Sequence, residues 1–309
     1  MYFNRIFEFT KVIDTDKFNK IINSVYRNLE EVEDGYADYS VSSKGITFLY
    51  RDSQYRKKIT VIVNAALLVD CNSDADVFLV KLNKCCCSYF KRYALDDFTL
   101  MGFTAIADIN VGRDKVGDYI AILKRIGKVK GFTPKDYDGI KGFCLDGNSN
   151  NTLFKIYDLE HCVRKYTDNS SKCFSGILRT EVKLTKAKAI GKYTDSESTT
   201  CKIAELWKKS QEVFMDTFVK IVPFGDFYKK DAAVEIICKN VTDLKSQRQM
   251  LWLVELIPAK KSLLLAQKAL GYRKIKCIME LFAEINLSPV TISKRCSVKW
   301  LEGVYSFFV

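Results

Sequence analysis

The chain has 309 residues, 48% of them apolar and 28% charged, and its 49 Lys and Arg outweigh 37 Asp and Glu to give a formal charge of +12. This length supports a sizeable core in two domains, or in one domain with an appended module, and the apolar content excludes a disordered chain. No apolar run reaches membrane-span length, and the opening MYFNRIFEFTKVIDTDKF lacks a basic region followed by an apolar block and a cleavage site; the chain reads as a soluble, cytoplasmic protein.

Residues 14–31 place Phe18, Ile21, Ile22, Val25 and Leu29 at helical spacing behind an Asp/Thr start suited to capping. Two extended runs, 38–50 and 56–69, then read as a hairpin. Further along come a helix over 74–93, a strand over 98–111, a helix over 113–126, and short strands over 140–145, 152–158 and 176–187. This order predicts an α+β fold, an N-terminal antiparallel sheet with helices on one face. The small, polar stretch GKYTDSESTT, 191–200, separates an α+β domain over 1–190 from a module over 201–309 in which every periodic segment is helical. That module ends in NLSPVTISKRCSVKWLEG. There Ser288 is a candidate N-cap, Pro289 suits a first helical position, and a short helix would present Thr291, Lys294 and Arg295, as the second element of a helix-turn-helix does.

The single histidine, His161, excludes paired-His zinc sites and two-histidine nicking motifs. None of the eleven cysteines are spaced as Cys-x-x-Cys, and the consecutive Cys85, Cys86 and Cys87 would point in different directions on a helix, so all eleven read as reduced thiols. The charge favours an anionic partner, nucleic acid such as DNA or an acidic protein surface, and does not by itself say which. Two segments concentrate it. LKRIGKVKGFTPK carries Lys124, Arg125, Lys128, Lys130 and Lys135 with no acid. Residues 260–309 hold nine Lys and Arg against three Glu, with Arg273, Lys274, Lys276, Lys294, Arg295 and Lys299 near Tyr272, Trp300 and Tyr305. Both are candidate phosphate contacts.

Among carboxylates, Glu181 stands in SGILRTEVKLTKAKAI, where Arg179, Glu181 and Lys183 alternate with Leu178, Thr180, Val182 and Leu184 and so share one strand face. A solvated row of screened charges needs nothing more; a buried Glu181 needs a cation, a proton or a metal. Phosphodiester chemistry would need hard oxygen ligands and a nucleophile, and the candidates are Asp108, Asp158 and Glu181 with Tyr157 or Tyr166.

LFKIYDLE, then LRTEVKL about twenty residues later, then a linker and SPVTISKR, resemble the replication initiation proteins of rolling-circle plasmids and filamentous-type phages over residues 98–309. The resemblance implies metal-assisted attack by a tyrosine on one DNA strand, leaving a protein-linked 5′ end. By that analogy Glu181 is a ligand for Mg²⁺ or Mn²⁺, Arg179 its orienting neighbour, and Asp108 a stand-in second ligand. Where that family carries an Arg, an apolar residue and Asp, this chain has Gly102, Phe103 and Thr104, and Leu159 replaces the family's Lys. The pattern is that of an eroded site. Three readings follow: an initiator-like DNA-binding protein of a plasmid or phage-like mobile element; an inactive relative that acts as an inhibitor or binding module against a nucleic-acid-processing host enzyme; and an active, metal-dependent tyrosine nickase.

Overall fold

The computed structural model describes residues 3–25, 30–31, 39–43, 45–53, 56–70, 73–89, 93–136, 141–147, 149–166 and 174–308, with 43, 88–89, 165–166 and 272–274 in backbone only. The chain runs β1 (Asn4–Ile13), α1 (Thr15–Val25), β2 (Glu30–Glu31), β3 (Tyr39–Ser43), β4 (Ile46–Asp52), β5 (Lys57–Asn64), α2 (Ala65–Leu68), α3 (Ala75–Tyr89) and β6 (Thr99–Asn110). It continues through α4 (Val116–Lys124), β7 (Thr133–Pro134), β8 (Gly142–Gly147), β9 (Thr152–Asp158), α5 (Leu159–Tyr166), β10 (Ile177–Leu184), α6 (Ala187–Ile190), α7 (Thr199–Lys208) and α8 (Ser210–Ile221). It ends with β11 (Phe227–Tyr228), α9 (Lys230–Asn240), α10 (Leu244–Lys260), α11 (Leu263–Leu270), α12 (Tyr272–Glu284) and β12 (Trp300–Leu301). A ten-stranded sheet has the order β2-β3-β4-β5-β1-β6-β10-β9-β8-β7, and the rest is mostly helical, so the fold is α+β as the sequence predicts.

The segment 38–50 is two strands rather than one. Gly45, at φ +83, turns the chain between β3 and β4, where a Cβ would sit 2.5 Å from that of Leu67. Strand β1 is not among the elements expected from sequence, yet it lies between β5 and β6. Its buried Phe7 and Phe9 alternate with the polar Glu8 and Thr10 at period 2, and the bulge in its pairing with β6, which passes over Met101, leaves that alternation intact.

Two compact units arise, Tyr2–Ile106 with Val182–Phe214, and Ala107–Glu181 with Met215–Val309. In the first, Phe7 of β1 meets Phe78 of α3 at 5.4 Å and Phe103 of β6 at 5.2 Å, and Phe78 meets Trp207 of α7 at 4.9 Å. Burying each such ring contributes about 1.5–3 kcal/mol. In the second, α4 packs on β8 and β9, and Phe218 of α8 reaches Phe154 of β9 at 6.2 Å.

In the first unit the start of α7 depends on Asp96. Its Oδ1 accepts from the Thr200 N–H at 2.7 Å and the Ser198 hydroxyl at 2.8 Å. The Thr200 backbone bond, ahead of the hydroxyl, holds its carboxyl below the usual carboxylate range. A depressed folded-state value means the contribution is complete above the ordinary Asp value near ~3.9 and is lost as pH falls through the folded value. Asp96→Ala should therefore cost about 1 kcal/mol at neutral pH, and the gap from wild type should close at strongly acid pH, as the folded-state carboxyl is protonated. Denaturant unfolding at both pH values checks this; a gap independent of pH would contradict it.

Candidate functional site

Strand β10 answers the question posed by Glu181. Its residues alternate half-buried and buried along the whole strand, so Arg179, Glu181 and Lys183 do share one face, and each has a partner. Arg179 donates from Nε and Nη2 to the two oxygens of Asp108 on β6, both at 2.7 Å. The Tyr157 hydroxyl on β9 donates to Glu181 Oε1 at 2.6 Å. Further along, Lys183 reaches Glu8 at 3.0 Å. Gly102 lies opposite Glu8, where a Cβ would stand 3.1 Å from Glu8 Oε2, so the glycine leaves room for a carboxylate from β1.

The strand order explains the convergence. β10 lies between β6 and β9, so Asp108 and Tyr157 reach it from opposite sides. Gly142 of β8 pairs with Tyr157, and a Cβ there would fall 2.5 Å from that of Tyr157. The glycine admits the ring. Tyr157 is only 6% exposed, and burial first, then the Glu181 charge and hydrogen bond, push its phenol well above the usual tyrosine range. For Arg179 burial opposes the charge, but the Asp108 hydrogen bonds and charge more than offset it, and the guanidinium is held above its ordinary value. Burial and then the Glu181 charge also raise the neighbouring Cys162 thiol.

The structure thus forms two pairs, Arg179 with Asp108 and Tyr157 with Glu181, side by side on one face of β10. Among the described residues no group of three or more His, Cys, Asp or Glu side chains could hold a metal ion. Asp158 serves otherwise: its Oδ1 accepts from the His161 N–H at 3.2 Å, at the start of α5. The Tyr166 side chain lies outside the described residues. Tyr157→Phe removes the donor from half-buried Glu181 and should cost about 1–2 kcal/mol in a denaturant titration. An unchanged midpoint would mean that water serves Glu181 equally well.

SPVTISKR does not form a helix. After α12, Asn286 adopts φ +49, and the chain runs back extended along 226–229: Ser288 N–H donates to Asp226 O at 2.8 Å and Ile292 N–H to Tyr228 O at 2.8 Å. Ser288 is buried and its hydroxyl accepts from the Val290 N–H, so it is not a helix cap, and the run Val290-Thr291-Ile292 is β-branched throughout. Thr291 is 2% exposed and cannot reach a partner; Lys294, Arg295 and Lys299 are exposed. The short recognition helix expected here is replaced by a strap. Lys276 is exposed on α12 and lies 3.8 Å from Glu280, while the side chains of Arg273 and Lys274 lie outside the described residues.

The two basic segments meet elsewhere. Helix α10 ends at Lys261, which takes φ +49, and Ser262 caps α11. Gly127, at φ +60, lies so close that a Cβ would be 2.3 Å from Lys261 O. Three hydrogen bonds close the joint: Leu263 N–H to Ile126 O at 2.8 Å, Ser262 Oγ to Lys128 O at 2.9 Å, and Leu264 N–H to Lys128 O at 3.0 Å. Lys124, Lys128, Lys130, Lys260 and Lys261, all within three residues of this backbone joint, are exposed, and none of the five is in an ion pair among the described residues. Lys135 differs from them in pairing with Asp146 at 3.2 Å. No family model and no curated protein matches this chain. Arg125 differs from the lysines in being half-buried: its Nε is enclosed without an acceptor among the described residues, and burial lowers its pKa. Lys260 and Lys261 can be counted in the sequence, but not their meeting with Lys128.

Proposed function

We propose that this chain is a nucleic-acid-binding protein, an initiator-like DNA-binding protein of a plasmid or phage-like element, that grips phosphates with the cluster formed by Lys124, Lys128, Lys130, Lys260 and Lys261. The observation that carries this reading is the Gly127–Lys261 joint, where the backbones of the two basic segments meet with five exposed lysines within three residues of it, none in an ion pair among the described residues. Concentrated like charge destabilises a fold unless an anion offsets it, and a phosphate backbone supplies anions at regular spacing.

The strand site supports a structural role rather than strand cleavage. Tyr157 is buried, its hydroxyl donates to Glu181, and both Asp108 oxygens are engaged by Arg179, so an incoming phosphodiester would have to displace several bonds at once. With Mg²⁺ or Mn²⁺ present, supercoiled DNA should remain intact. Nicking that is abolished by Tyr157→Phe would establish the active-nickase reading in its place. The binding claim is tested with a labelled oligonucleotide of arbitrary sequence at low salt, followed by fluorescence anisotropy. Binding that weakens in Lys128→Ala/Lys130→Ala/Lys261→Ala supports it, and no binding, or binding indifferent to these residues, overturns it.

A further inference from the structure

A second feature of the unit formed by Ala107–Glu181 and Met215–Val309 has the opposite charge. Phe224, Asp226, Asn286, Trp300, Glu302 and Tyr305 line a cavity of about 260 Å³. Phe224 is 48% and Trp300 45% exposed, an unusual outlay of aromatic surface, while Tyr305 is fixed by donating its hydroxyl to Val222 O at 2.7 Å. Asp226 organises the wall: Oδ1 accepts from the Gly303 N–H at 2.7 Å and Oδ2 from the Trp300 indole N–H at 3.3 Å. Two glycines make the floor rigid. A Cβ at Gly225 would fall 2.5 Å from Leu287 C, and one at Gly303 would fall 2.7 Å from Gly225 O.

Two carboxylates and exposed aromatic faces thus share one preformed cavity in a chain of net charge +12. Neither Asp226 nor Glu302 is in an ion pair among the described residues, although Lys229 and Lys299 are neighbours in the sequence. Both carboxylates lie near enough to Tyr119 to add to the effect of burial in raising its hydroxyl above the usual range. Aromatic faces attract cations through the ring quadrupole, and a carboxylate at the rim supplies the counter-charge. A phosphate-bearing ligand would meet two like charges.

We propose that this cavity binds an organic cation, a guanidinium or alkylammonium group held against the exposed Trp300 and Phe224 and paired with Glu302, with the charge of Asp226 adding to the attraction. The proposal is independent of the phosphate-binding cluster. It is tested by calorimetric titration of the full chain with N-acetyl-argininamide and tetramethylammonium, against the neutral N-acetyl-citrullinamide and adenosine monophosphate. Saturable binding of the two cations only is expected, weakened about tenfold in Trp300→Leu and about threefold or more in Glu302→Gln. Glu302 is exposed, so its variant keeps the test intact if Trp300→Leu does not fold. Tighter binding of an arginine-containing peptide than of argininamide would support the proposal with a protein side chain as the source, and equal binding would support it with a free amine. Equal binding of citrullinamide, preference for the nucleotide, or absence of saturable heat with both cations would overturn it.

Discussion

Gly127→Val should cost about 3–5 kcal/mol and, in the fraction that folds, remove most of the affinity for nucleic acid. The residue sits at φ +60, where an L side chain costs about 1–2 kcal/mol, more for a β-branched one. Its Cβ would also press on main-chain atoms, Lys261 O at 2.3 Å and Ser262 Cα at 3.0 Å, which cannot swing aside as a side chain would. Relieving that clash means opening hydrogen bonds from Leu263, Ser262 and Leu264, each contributing about 1 kcal/mol. For a domain of marginal stability, about 5–15 kcal/mol, this is a large fraction. Gly112 provides the control: it too has positive φ, at +82, but nothing lies within 4 Å of its added Cβ. Gly112→Ala should cost only the backbone strain, about 1 kcal/mol. If Gly127→Ala proved no worse than Gly112→Ala in denaturant unfolding, the joint would not be the tight contact described.

The second large effect concerns charge. Lys128→Glu/Lys130→Glu/Lys261→Glu reverses three members of the cluster and should weaken binding to a DNA oligonucleotide by more than about 100-fold at low salt, because repulsions replace the attractions to phosphate. These side chains are exposed, so the fold should tolerate the change. Lys276→Glu, on α12 and near Glu280, should have a small effect, as should Lys294→Ala/Arg295→Ala on the strap. Were the strap pair to dominate, the phosphate surface would have to be placed at residues 294–299.

Much of the architecture is legible in the chain because its strands carry their periodicity openly. β10 reads as alternating from its residue types alone, and its burial alternates residue by residue. The strand β1 carries the same signal in Phe7 and Phe9 but is short on turn residues around it, and its central place depends on pairing with β5 and β6 far along the chain. The extended strap at 288–292 is hidden by competing cues. Ser-Pro at the head of a polar stretch is compatible with a helix start, while three β-branched residues in succession favour an extended backbone, and burial of Val290 and Ile292 decides between them.

The site is legible as a set of residues and not as a set of pairs. Asp108, Tyr157 and Glu181 can be picked out as strand carboxylates and a tyrosine, but which oxygen meets which donor follows from β10 lying between β6 and β9, a matter of strand order that local sequence does not encode. The same holds for the basic segments. Each is visible as a run of charge, whereas their junction depends on the left-handed backbone of Gly127 and Lys261 coming into register.

The most direct measurement of the central claim is the salt dependence of DNA binding for the wild-type chain and for Lys128→Ala/Lys130→Ala/Lys261→Ala. Removing one phosphate-bound lysine should reduce the slope of log affinity against log salt by about one unit. If the cluster grips the phosphate backbone, the triple variant should bind more weakly and its slope should be shallower by about two to three units, with its unfolding midpoint unchanged. A triple variant with the wild-type slope and affinity would contradict the account.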